Sequence, residues 1–151
     1  MKYVRVILLI AIACLTIFIW SNSLRSQAAS TEQSDEVAGW IELLLTGNGT
    51  QPLTAMGAWI LGNIRKIAHF VEFMGLSMLL STYKLTFPGK EKLGVLLHAP
   101  AVATVDEIIQ IFSDRGPAVS DVLLDCCGAA TGMGIVLLMA AIIGTIRRRT
   151  R

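Results

Sequence analysis

The chain has 151 residues, of which 54% are hydrophobic and only 16% are charged. A soluble domain carries about 25% charged residues, so this composition, with a mean hydropathy of +0.63, excludes an ordinary soluble protein. It predicts a single integral membrane domain over residues 1–151. The formal net charge is +2, and the distribution of the charges along the chain is more informative than their sum.

The first apolar segment, residues 4–20, follows Lys2 and Arg5 and is long enough to cross a hydrocarbon core of about 30 Å. Trp20 stands at its end, where an interfacial tryptophan is typical. We therefore predict a first membrane helix over about residues 4–20. A cleaved secretory signal is the alternative, because the sequence Ser-Gln-Ala at 26–28 resembles a small-residue cleavage site.

A long connection, residues 21–64, is predicted to form an outer loop. Its start is rich in serine, glutamine and threonine, which is typical of a solvated loop. Residues 34–36 are predicted to cap a short amphipathic helix that lies on the membrane surface or over the mouth of the bundle, since the apolar residues within 37–45 follow helical spacing. The glycines within 47–49 are predicted to end this helix, and Pro52 to begin a second short apolar stretch.

Three further membrane helices are predicted, over about residues 65–83, 93–112 and 119–146. Turns containing proline and glycine separate them. With the first helix they form an all-α, four-helix membrane bundle. In the last helix Gly128 and Gly132 are four residues apart, a spacing of small residues that lets a second helix approach closely. The alternative is that both glycines are merely tolerated.

Basic residues are distributed unevenly between the two sides of this threading. One side collects Lys2, Arg5, Lys84, Lys90, Lys92, Arg147, Arg148, Arg149 and Arg151. The other side holds mainly Arg25, Arg65, Lys66 and Arg115. The positive-inside rule then places both termini in the cytoplasm. The C-terminal arginines are interpreted as topology signals and contacts to anionic lipid, so no nucleic-acid partner is expected.

Two segments place ionisable side chains inside runs apolar enough for a bilayer, where an unpaired charge costs several kcal/mol. The first carries a stripe at every third residue of a helix, formed by Lys66, His69 and Glu72. The second carries one polar helical face, formed by Asp106, Glu107 and Gln110. We predict that these two faces meet in the outer half of the membrane.

The same segments resemble the VanZ-like membrane protein family, named after a teicoplanin-resistance protein. KIAHFVEF at residues 66–73 is similar to the family's Lys-x-x-His segment, and DEIIQIFSDRGPAVSDVLLDCCGAATG at residues 106–132 to its Asp-Glu-x-x-Gln, Arg, Asp and Gly-x-x-x-Gly segment. The family commonly carries an amide where this chain has Asp125. The resemblance implies a small multi-pass protein of the bacterial cytoplasmic membrane and leaves its biochemical activity open.

The candidate site contains residues of two predicted kinds. The catalytic candidates are His69, Asp106 and Glu107, and the candidates for binding a substrate are Lys66, Glu72, Gln110, Arg115, Asp121 and Asp125. His69 could act as general base or acid, because imidazole exchanges its proton near neutral pH. Lys66 and Arg115 could hold a phosphate or carboxylate group.

Three functions are compatible with these residues. The first is an enzyme acting on a lipid-linked cell-wall precursor or a phospholipid head group. The second is non-catalytic binding or transport of such a ligand, or of a glycopeptide. The third is a set of ion pairs that fixes helix register without any ligand, although buried pairs contribute little stability.

No metal and no cofactor is expected from the sequence. A divalent ion could be held by His69 and Glu72 with Asp106 and Glu107, since imidazole and carboxylate groups suit zinc or manganese. The spacing of these residues is generic, however, and it does not select a metal site over a set of polar contacts.

Overall fold

The computed structural model of the protein describes residues 2–47, 54–87, 93–112 and 119–150. Within these residues every regular element is an α-helix, in agreement with the predicted fold class. The helices are α1 (Lys2–Ser23), α2 (Gln27–Thr46), α3 (Ala55–Gly62), α4 (Ile64–Leu85), α5 (Leu93–Phe112) and α6 (Val119–Arg149).

The prediction of a solvated loop at the start of the 21–64 connection is wrong, because α2 occupies most of it. The Ser26 side chain caps α2 by accepting a hydrogen bond from the Ala29 amide at 3.3 Å. Ser34, part of the predicted cap, lies inside α2, where its hydroxyl donates to the Ser30 carbonyl. The alanine, glutamate and glutamine residues here favour a helix once Ser26 provides its start.

The end of α2 was predicted correctly. Gly47 adopts the left-handed conformation with φ 58°, which glycine enters without steric cost. The remaining residues of that predicted turn, and Pro52, lie outside the described part of the chain. The short helix α3 begins after Thr54, whose side chain accepts a hydrogen bond from the Gly57 amide, and Asn63 separates α3 from α4.

The other predicted helices are confirmed as helices. The segments predicted at about 65–83, 93–112 and 119–146 correspond to α4, α5 and α6. The predicted turns between them, at 88–92 and 113–118, lie outside the described residues.

Four helices form the main body of the protein. The contact between α4 and α6 is the most extensive, α1 packs against α4 and α5, and α5 also contacts α4 and α6. The hydrophobic core between them consists of Ile12, Ile19, Phe73, Leu76, Leu80, Val102 and Ala103. Most of these residues come from α1 and α4, so the core lies mainly between those two helices.

Two glycines determine how closely α6 approaches α4. A Cβ atom on Gly128 would collide with the backbone carbonyl of Phe70, and one on Gly132 would collide with that of Met74. The predicted role of the small-residue pair is therefore confirmed, and the partner is α4. Because backbone lies against backbone here, no side-chain rearrangement can create room for a methyl group.

The ends of α1 and α4 show that these helices are antiparallel. Near the start of α1, the Arg5 guanidinium donates hydrogen bonds to the Thr86 side chain and carbonyl, just after α4 ends. It also lies 3.9 Å from the centre of the Phe87 ring, a cation–π contact. Near the other end of α1, the Asn22 amide donates to Glu72 of α4 at 3.0 Å.

Two of the described helices, α1 and α6, are long and apolar enough to cross a membrane. Much of their apolar surface faces outward, including Ile7 (65% exposed), Ile17 (61%) and Leu138 (63%). The crossing of the membrane by α4 and α5 remains a prediction, since both carry ionisable side chains within the helix. The four-helix membrane bundle is thus confirmed only as a helical fold with two such spans.

The glycine contact predicts a sharp positional effect. Gly132→Ala should lower the stability of the purified protein by about 1–3 kcal/mol, the usual cost of overpacking, because the new methyl group meets the Met74 backbone. Gly134→Ala is the matched control, since nothing lies within 4 Å of its position, and it should unfold at or above the wild-type temperature. Thermal unfolding followed by circular dichroism in detergent measures both. Equal unfolding temperatures for the two variants would contradict the assignment of this contact.

Candidate functional site

A polar cluster, defined as His69, Asp106 and Asp125, lies where α4, α5 and α6 meet. The His69 Nδ1 atom is 3.9 Å from an oxygen of Asp106 and 3.9 Å from an oxygen of Asp125. Asp106 is 0% exposed and Asp125 is 1% exposed, whereas the His69 side chain keeps 15% of its surface accessible. The imidazole therefore forms the accessible edge of a buried pair of carboxyl groups.

Helical spacing on α5 supports this cluster from one side. The Gln110 amide donates a hydrogen bond to the Oδ2 atom of Asp106 at 2.9 Å and a longer one to Glu107 at 3.4 Å. All three side chains are buried, as expected for residues three and four apart on one helix face. The prediction that the α4 and α5 polar residues meet is confirmed for His69 and Asp106.

The carboxylate oxygens of the cluster are incompletely satisfied by the described residues. Asp106 Oδ1 and both oxygens of Asp125 are buried without a hydrogen-bond partner among them. A buried carboxylate without compensation costs several kcal/mol. The two carboxyl groups therefore need a nearby positive charge or a proton. A protonated His69, a proton shared between the carboxyl groups or a bound cation could supply it.

A cavity of about 240 Å³ adjoins the cluster between α1, α2 and α4. Its wall on α4 consists of Ile64, Arg65, Ala68, His69 and Glu72. Phe18 and Asn22 of α1 and Ser30, Gln33, Ser34 and Val37 of α2 complete the lining. His69 thus belongs both to the buried cluster and to an accessible pocket. Helix α2 forms one wall of that pocket.

The predicted stripe of Lys66, His69 and Glu72 requires a correction. Lys66 is exposed and does not line the pocket, whereas Arg65 is half-buried and does. The reason is the helical period: positions 65, 68, 69 and 72 follow the spacing i, i+3, i+4 and i+7 of one face, and every third residue drifts away from it. That spacing was the signal in the sequence that identifies Arg65.

The other predicted site residues have different outcomes. Glu72 reaches the pocket and is held by Asn22, and Asp125 joins the cluster with one carboxyl oxygen 3.9 Å from His69 Nδ1. Asp121 lies one helical turn before Asp125 and accepts a hydrogen bond from Ser120 at 3.1 Å. Arg115 lies outside the described residues.

Sequence reasoning missed the contribution of the first two helices to the pocket. Asn22 and the polar residues of α2 were assigned to a solvated loop, so no contact with α4 was expected from them. A pattern of serine and glutamine at helical spacing, Ser30, Gln33 and Ser34, was the available signal. It is a weak one, because such residues occupy exposed helix faces in most proteins.

Comparison with known proteins completes the description of the site. No curated protein and no solved structure matches the chain. The family model described as VanZ/LLP1 matches residues 5–140, a range that includes most of α1, all of α2 to α5, most of α6, the polar cluster and the pocket. Since this match covers most of the sequence, the chain belongs to the VanZ/LLP1 family.

Proposed function

We propose that the chain is a multi-pass protein of the bacterial cytoplasmic membrane, crossed by α1, α4, α5 and α6, with both termini in the cytoplasm. The antiparallel pairing of α1 with α4 supports this arrangement, since Arg5 and Lys84 then lie at the same end of the bundle as the C-terminal arginines. Basic residues gathered at one end are typical of the cytoplasmic side. The pocket then opens toward the outer leaflet.

In this arrangement the protein acts on the anionic head group of a lipid or lipid-linked cell-envelope molecule. The main support for this proposal is the placement of His69. Its ring lies near the two buried carboxyl groups and also lines the pocket beside Arg65. Arg65 would bind a phosphate or carboxylate oxygen, since guanidinium groups pair with such anions in a fixed geometry.

The lining of the pocket favours an amphiphilic ligand. Phe18, Val37 and Ile64 provide apolar surface, while Arg65 and the polar side chains of α2 provide hydrogen-bonding groups. A free polar metabolite would gain little from the apolar wall, and a pure hydrocarbon would leave the polar groups without partners. The boundary between a lipid head group and its chain presents both kinds of surface.

The proposed chemistry is proton transfer by His69. Asp106 and Asp125 orient the imidazole ring and stabilise the positive charge that appears when it takes a proton, as carboxylates do for catalytic histidines. Non-catalytic capture of the same head group is the alternative, because Arg65 and the pocket would serve it equally well. Altered teicoplanin susceptibility is a cellular effect that either activity could produce.

The enzyme proposal predicts a change in the lipid composition of cells. Expression of the wild type should make one lipid or lipid-linked precursor accumulate or disappear, and His69→Ala and Asp106→Asn should abolish that change at matched protein levels. Mass spectrometry of extracted lipids measures it. An unchanged profile with the wild type, together with altered teicoplanin susceptibility that requires Arg65, would refute catalysis and support binding.

The pocket geometry predicts a difference between two adjacent basic residues. Arg65→Gln should reduce the wild-type effect on lipids about tenfold or more, because a hydrogen bond to a charged group contributes roughly 1.5–3 kcal/mol. Lys66→Gln is the matched control and should behave like the wild type, since Lys66 is exposed and outside the pocket. The same lipid measurement distinguishes them. A loss confined to Lys66→Gln would show that the predicted stripe, and not the observed pocket, binds the ligand.

A further inference from the structure

We propose that the polar cluster binds a divalent cation, with the imidazole of His69 and one carboxylate oxygen each of Asp106 and Asp125 as ligands. Potential ligand atoms of these three residues all lie within 4.8 Å of one another. The residues come from three different helices, α4, α5 and α6, so an ion here would join the elements that form the main helix contacts. These three ligands differ from the set suggested by sequence spacing, because Asp125 takes the place of both Glu72 and Glu107.

The unpaired oxygens are the independent observation that points to a cation. Asp106 and Asp125 are almost completely inaccessible, and three of their four carboxylate oxygens have no hydrogen-bond partner among the described residues. Hydrogen bonds within the described part of the chain leave these three atoms unsatisfied. A divalent ion bound between the two side chains would compensate both negative charges at once, which a single hydrogen bond cannot do.

The spacing of the ligand atoms is compatible with direct coordination. Two ligands at about 2.1 Å from a tetrahedral zinc ion lie roughly 3.4 Å apart. The two separations of 3.9 Å from His69 Nδ1 need to shorten by about half an ångström, and the third pair, which lies within 4.8 Å, by up to about 1.4 Å. Rotation of the side chains can supply that change. One imidazole with two carboxylates suits zinc or manganese better than calcium, which prefers ligands that are all oxygen.

Gln110 provides the outer support that metal ligands require. Its amide donates to the Oδ2 atom of Asp106 at 2.9 Å, the oxygen that faces His69 Nδ1, while Oδ1 has no hydrogen-bond partner among the described residues. Hydrogen bonds of this kind orient ligating carboxylates and raise metal affinity. Three protein ligands would leave a coordination position for water or for an anionic oxygen entering from the pocket.

Cation binding goes beyond the proposed function and does not depend on it. In the metal-bound form His69 would hold the ion and would not itself transfer a proton, and the ion would supply Lewis-acid chemistry at the same place. The two proposals fail separately, since metal content is measured on the purified protein without any lipid substrate. If the protein binds the ion but leaves cellular lipids unchanged, the metal site is supported and the enzyme proposal is refuted.

The test measures metal in the purified full-length protein. After purification in detergent and incubation with Zn²⁺ or Mn²⁺, desalted wild type should retain about one ion per chain by mass spectrometry of the elements, as a three-ligand site predicts, and should unfold at a higher temperature than after treatment with EDTA. Asp125→Asn and Asp106→Asn should bind the ion roughly tenfold or more weakly, and both retain the shape of the native side chain.

Two further variants make the outcome specific. His98→Ala removes the other histidine of the chain and should leave the metal content unchanged, as should Glu72→Gln, which belongs only to the ligand set suggested by spacing. Folding of each variant is checked by gel filtration and circular dichroism. A folded wild type that retains no ion and does not respond to EDTA would overturn the proposal, as would an undiminished metal content in Asp125→Asn.

Discussion

The close approach of α6 to α4 is the contact on which the rest of the structure depends. It is possible only because Gly128 and Gly132 present no side chain to the backbone of Phe70 and Met74. Asp125 lies three residues before Gly128, and His69 precedes Phe70, so the same contact brings the carboxyl group to the imidazole. Packing and chemistry are therefore linked here: a change that separates the two helices also dismantles the polar cluster.

The polar cluster places three ionisable side chains, His69, Asp106 and Asp125, together where water does not reach the two carboxyl groups. Asp106 and Asp125 both face His69 from buried positions, and Gln110 donates a hydrogen bond to Asp106. If the cluster served only to fix the register of the helices, apolar residues of similar size in its place would stabilise the bundle as well or better. The arrangement is better explained by a function that uses a proton or an ion at this place, which is why both proposals centre on the same three residues.

The pocket connects this buried chemistry to the surroundings. Helix α2 lies over it with a polar face of Ser30, Gln33 and Ser34, and α1 contributes Phe18 and Asn22. The apolar part of the lining favours the chain of an amphiphile and the polar part its head group. Membership of the VanZ/LLP1 family agrees with a small membrane protein and does not by itself name a substrate. The proposed anionic head group is inferred from Arg65 and His69 in the pocket.

By itself the sequence determined the helical fold, the positions of α4, α5 and α6, the role of the glycine pair, and the meeting of His69 with Asp106. These follow from local rules: apolar length, helical period and the cost of charge in an apolar run. Only the tertiary structure decided that Arg65 rather than Lys66 faces the pocket, that Asp125 joins His69, and that α2 is a helix covering the site. Those facts depend on the relative rotation of packed helices and on one serine cap, which residue composition does not specify.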